Sequence, residues 1–123
     1  METNTNPKII NKMKKEIEDY YKSWVHKTFQ KGLKNAKVYL HKEIVILIGY
    51  EFLTYMEQAL SDDDYSKQAI LHTRRKLSEK FYPVLKQNIE LITGREVIHI
   101  FVDFSVEENV SCMTLFLDGE VNV

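Results

Sequence analysis

The sequence is poor in the residues that staple, kink or loosen a chain. Its 123 residues include one cysteine, Cys112. A single cysteine cannot close an intramolecular disulfide, which excludes the small cross-linked secreted class. Two prolines and four glycines exclude fibrous and linker-like chains. Long apolar runs are missing too. The longest is Ile44-Val45-Ile46-Leu47-Ile48, against the roughly 20 residues that a bilayer span needs. The first residues are polar and lack the apolar stretch of a signal peptide. The chain is therefore expected not to insert into a membrane, and the cytosol is its default address. A net charge of −1 leaves no excess of positive charge, which argues against a nucleic-acid partner.

What is present is the composition of one globular domain over residues 1–123, with 44% hydrophobic and 28% charged residues. Residues 1–7 and 119–123 are expected to fray. The charge is unevenly spread. Residues 1–43 carry ten lysines against five acidic residues, whereas residues 44–123 carry seven basic against thirteen acidic ones. Opposite-signed halves can attract each other within the fold or across a dimer.

Ile10, Met13, Ile17, Tyr21, Trp24 and Thr28 recur at steps of three and four, which predicts a helix over 8–31. Lys8, Lys12, Lys15 and Lys22 fall on its outer faces. Asn6-Pro7 is a natural start and Gly32 a natural stop. Val38-Tyr39-Leu40 and Ile44–Ile48 are β-branched and aromatic runs too short for helices. The polar His41-Lys42-Glu43 between them predicts a hairpin. The second of these strands is apolar on both faces, so something must cover each side, and the second cover could be another subunit.

Thr54 and Glu57 have capping-box spacing and predict a short helix over 55–60. Asp62-Asp63-Asp64 favours the start of a longer helix over about 64–92. Its inward stripe reads as Ile70, Leu77, Phe81, Val84, Leu85, Asn88 and Leu91. Pro83 predicts a kink or break near Phe81-Tyr82, and Gly94 a stop. Residues 96–105 alternate, with Ile98, Ile100, Val102 and Phe104 on one face and Val97, His99, Phe101 and Asp103 on the other. A turn at Glu107-Glu108-Asn109 returns the chain into a strand over 110–117. The expected fold is a two-layer α+β domain of αββααββ order, with helices packed on a four-stranded, mainly antiparallel sheet.

No constellation for catalysis stands out. His26, His41, His72 and His99 have no metal-binding spacing, and only Cys112 could join them. Cys112 has no visible base or oxyanion partner and reads as a small hydrophobe. No glycine-rich phosphate loop is present. The aspartate triplet lacks calcium-loop spacing and reads as a helix cap. Neither a cofactor nor a metal is expected, and the chain reads as a non-enzyme. Arg74-Arg75-Lys76, with Lys80, is the densest basic group of the acidic half. It reads first as a solvated helix face and second as a contact for an anion or an acidic partner. Seven tyrosines suit an interface.

Lys37-Val38-Tyr39-Leu40-His41, the apolar strand to Gly49, and Leu53-Thr54 with Glu57 resemble the MpsC-like family. So do Arg74-Arg75-Lys76-Leu77, Glu90-Leu91-Ile92-Thr93-Gly94-Arg95 and the strand ending at Asp103. The resemblance spans roughly residues 8–118. Val102 and Tyr55 depart from the family's common pattern. The resemblance implies an accessory role beside the membrane proteins of a bacterial cation-translocating, membrane-potential-generating system, and a link to cation or bicarbonate transport. It supplies no catalytic residues. The expected docking contacts are then Arg74, Arg75, Arg95 and the lysines of the first helix, on a chain that pairs as a homodimer. The alternative is a small-ligand sensor dimer, with a pocket between sheet and helices near Tyr39, His99 and Asp103.

Overall fold

The computed structural model describes residues 6–121. The order is α1 (Pro7–Phe29), β1 (Asn35–His41), β2 (Ile44–Tyr50), α2 (Tyr55–Leu60), α3 (Asp64–Thr93), β3 (Val97–Ser105) and β4 (Val110–Leu117). The four strands form one antiparallel sheet in the order β1-β2-β4-β3. The expected α+β architecture and element order are those observed. Strands β2 and β4 are central, and β1 and β3 are the edges.

Helix α1 starts where Asn6 caps it, its side chain accepting from the Lys8 N–H at 3.0 Å, with Pro7 in the first turn. It ends earlier than the glycine suggested. Gln30 takes the left-handed conformation at φ 60° and its N–H bonds back to the His26 carbonyl, so the helix has stopped before Gly32. The expected fraying also needs correction where it can be seen. Asn6 and Pro7 are part of the cap, and Val121 is buried in the core. The rest of that expectation, residues 1–5 and 122–123, lies outside the described residues.

Helix α3 runs through Pro83 as one helix rather than breaking there. Helix α1 lies against this stretch. Trp24 Nε1–H donates to the Phe81 carbonyl at 3.1 Å, the Tyr20 hydroxyl reaches the Val84 carbonyl at 3.3 Å, and the Trp24 ring stacks on Tyr82. The buried stripe of α3 is Ile70, Arg74, Ser78, Leu85, Ile89 and Thr93. Phe81, Val84 and Leu91 are instead exposed. The expected stripe drifted because two inward positions, Arg74 and Ser78, are polar and hide the period.

The main core joins Ile17, Tyr21, Trp24 and Val25 of α1 and Leu85 and Ile89 of α3 to one face of the sheet. That face offers Ala36, Val38, Val45, Leu47, Met113, Leu115 and Leu117. A smaller cluster gathers Phe52, Leu53, Ile70 and Val106, with Leu71 and Phe104 packed against it. Gly49 is inside this packing for want of space. A Cβ there would come within 2.8 Å of Ser111 Oγ and 3.0 Å of Leu33.

The strand β3 pattern is displaced by a bulge. Val97 pairs with Leu117 and His99 with Phe116, which leaves Ile98 as an extra residue. One extra residue flips the alternation. Val97 therefore joins Ile100 and Val102 at the core, and Ile98 is exposed. Both long helices pack on the same face, so among the described residues the other face has no helix over it.

Candidate functional site

Arg74 and Glu57 form the most unusual arrangement in the molecule. Arg74 projects from α3 at a core position and is 3% exposed. A buried guanidinium needs both charge and hydrogen-bond partners. Its Nε donates to Glu57 Oε2 at 2.9 Å, and its Nη2 donates to Glu57 Oε1 and, at 2.8 Å, to the Phe52 carbonyl. The Phe29 and Phe52 rings lie 4.3 and 5.2 Å from the guanidinium carbon. Phe29 belongs to the main core and Phe52 to the smaller cluster, so the cation sits at their junction. Among the described residues, Nη1 has no hydrogen-bond partner. Arg74 also lines a cavity of about 10 Å3, together with Tyr21, Ser78 and Ser111. That is room for about one water molecule, not for an organic ligand.

Glu57 is also half of the capping box of α2. Thr54 N–H donates to Glu57 Oε1 at 2.8 Å, and Glu57 N–H donates to Thr54 Oγ1 at 3.1 Å. Burial pushes the Glu57 carboxyl up, but the hydrogen bonds from Arg74 and Thr54, with the Arg74 charge, hold it below its ordinary range. Nearby, burial pushes the Tyr21 phenol up to about 12.

This polar anchor does what apolar packing would otherwise do for α2, which buries no residue at all. The result is an exposed knob. Tyr55 is 86%, Met56 70%, Leu60 55% and Tyr65 84% exposed. Three of them, Tyr55, Met56 and Leu60, share this one short helix, and large apolar side chains held in the open are candidates for an interaction site.

The residues singled out from the sequence fall into three places. Arg74 is buried, which removes it as a solvent-facing contact. Arg75 is partly exposed and spans to the strand edge, donating to the Val102 carbonyl and to Asp103 Oδ1, both at 3.1 Å. Arg95 lies at the far end of α3 and donates through Nε to the Glu120 carbonyl at 2.6 Å. These three do not form one patch. The lysines of α1 are partly spent within the helix, Lys15 on Glu18 and Asp19 and Lys22 on Glu18.

The expected pocket of Tyr39, His99 and Asp103 is not formed between sheet and helices. All three side chains are on the sheet face that no helix covers. Tyr39 is on edge strand β1, while His99 and Asp103 are on the opposite edge, β3. His99 and Asp103 share one face of β3 as expected, but it is the uncovered face, and the strand order that sets Tyr39 on the far edge has no sequence signature. Between the long helices there is instead an open groove of about 400 Å3, lined by Tyr20, Trp24, Lys27, Phe81, Val84 and Asn88.

Sequence reasoning missed the Arg74–Glu57 clamp. One signal was available: Arg74 and Ser78 continue the four-residue step from Ile70, which puts a cation where a core residue belongs. Among the described residues, no group of three His, Cys, Asp or Glu side chains is placed to hold a metal ion. No helix among them is long and apolar enough to cross a membrane.

Comparison with known families gives one match. The family model described as "Na+-translocating membrane potential-generating system (MpsC)" matches residues 10–119. No curated protein and no solved structure matches the chain.

Proposed function

The chain belongs to the MpsC family, and on that premise we propose that it is a non-enzymatic accessory component of a sodium-translocating, membrane-potential-generating system. In this reading it works as a homodimer on the cytoplasmic side and docks on the membrane-embedded part of the system. It does not form the ion pathway itself.

The observation that carries the reading is the α2 knob. A helix with no buried residue is held by a capping box and a buried ion pair, and it presents Tyr55, Met56 and Leu60 to solvent. Holding aromatic and methionine side chains outward on a fixed support is the arrangement of a binding hot spot. The family context supplies the kind of partner: a protein of the transport system rather than a free small molecule.

The test is purification of the tagged chain from its native cells after mild detergent extraction. Identification of an integral cation-transport protein, lost when Tyr55, Met56 and Leu60 are replaced by serine, is the expected result. Recovery of the chain with no membrane protein overturns the docking reading.

A further inference from the structure

The register of the sheet sets its uncovered face out in rows that run from β1 to β3. One row is Lys37, Ile48, Cys112, Asp103. The next is Tyr39, Ile46, Thr114, Phe101, and the third is His41, Ile44, Phe116, His99. The middle of each row falls on the seam between β2 and β4. The centre is apolar and half-buried, and Tyr39 and Phe101 near the two edges are 47% and 56% exposed. The first row has a cation at one end and a carboxylate at the other.

We propose that this face is the docking surface for a second copy of the chain, related by a two-fold axis that runs along the β2–β4 seam parallel to the strands. Such an axis exchanges the edges without sliding along the strands. It places Lys37 over the partner's Asp103, Tyr39 over the partner's Phe101, and Ile48 over the partner's Cys112. Each contact occurs twice, as an isologous interface requires.

Three observations support a second copy as the occupant. The charge pattern is complementary to itself only in this orientation, because an axis across the strands sets each edge on its own kind and leaves Lys37 far from the carboxylate. Asp103 has an acceptor to spare: its Oδ1 holds the Arg75 guanidinium and the Phe104 N–H, and the residue is exposed, which leaves Oδ2 for a lysine. The size is adequate for a pair of modest strength. Four strands of about seven residues span about 20 by 24 Å, or about 1,000 Å2 for the two faces together, which meets the minimum for a specific interface and is below the roughly 1,200 Å2 at which the standard ones begin.

This inference rests on the paired state proposed above but not on membrane docking. Its test begins with the mass of the wild-type chain at micromolar concentration by sedimentation equilibrium, followed by that of Ile46→Lys, with far-UV circular dichroism to verify the fold. Next, in a Cys112→Ser background, chains carrying Lys37→Cys are mixed with chains carrying Asp103→Cys and treated with a bis-maleimide that bridges about 10 Å, the spacing of two packed sheets, which is beyond a direct disulfide. Two copies of the same cysteine variant would lie about 14 Å apart along the sheet, three strand spacings, as well as across that gap. The expected results are a wild-type dimer, a folded Ile46→Lys monomer, and a covalent dimer that forms in the mixture and only weakly from either chain alone. A monomeric wild type overturns the pairing and the surface together. A dimer unmoved by Ile46→Lys, with no cross-link in the mixture, overturns the surface alone. Efficient self-cross-linking of Lys37→Cys overturns the axis.

Discussion

Arg74 holds Glu57 through two hydrogen bonds across 17 positions of sequence, and the same glutamate closes the capping box of α2. One ion pair therefore ties the long helix to the short one. Without it, α2 has no buried side chain to keep it in place.

Loss of either partner should be costly. Glu57→Gln leaves a buried cation without its countercharge and should destabilise the fold by about 2–4 kcal/mol. This is discounted from the full penalty for a buried pair because Glu57 is partly solvated. Arg74→Met combined with Glu57→Gln should cost less than the two single changes together, since neither charge is then orphaned. Urea unfolding of the four proteins reads both values.

Acid should act through the same carboxylate. Its folded pKa lies below the unfolded value, so its contribution is fully present well above pH 4.5. That contribution is lost as pH falls through the lowered folded value. Stability of the wild type should drop along this acid limb, and Glu57→Gln should flatten it. An unchanged limb in the variant would assign the acid sensitivity to other carboxylates.

Alkali acts with the opposite sign. The Tyr21 phenol is raised from 10.0 to about 12 by burial, as is that of Tyr82. A raised folded value means that stability is intact below pH 10 and declines between pH 10 and 12. For Tyr21 the loss is on the order of 2–3 kcal/mol. Ultraviolet titration of the seven tyrosines should show a late-titrating group, and Tyr21→Phe should remove part of it.

Gly49 should tolerate no side chain. Gly49→Ala drives a methyl group into Ser111 Oγ and the Leu33 methyls, and should destabilise by about 1–3 kcal/mol as an overpacked site. Thermal unfolding checks this, and Gly49→Ala in a Ser111→Ala background should recover part of the loss.

The parts of the fold that local chemistry dictates were legible in the residues. The capping box at Thr54, the proline start of α1, the turn at Glu107-Glu108-Asn109 that returns β4 and the doubly apolar β2 all have short-range causes, and the αββααββ order follows from them. Long-range features were not legible. The placement of β4 between β2 and β3 decides that Tyr39 and Asp103 are on opposite edges, and no spacing reports it. The Ile98 bulge inverts one face through a single residue. Arg74 looked like a surface cation because it stands in the basic run Arg74-Arg75-Lys76, and such runs are usually solvated; its partner in α2 comes from a separate segment. The left-handed Gln30 shows how a helix can end at Phe29, three residues before the glycine that seemed to end it.

The most direct measurement of the central claim is the sodium-dependent membrane potential of native cells, followed with a voltage-sensitive dye. Three strains are compared: one with the chain, one lacking it, and one carrying the serine variant of Tyr55, Met56 and Leu60. These side chains are exposed, so the variant should fold with stability within about 0.5 kcal/mol of wild type. The potential should be reduced without the chain, restored by wild type and not by the folded variant. A potential that is the same in all three strains would rule out the accessory role.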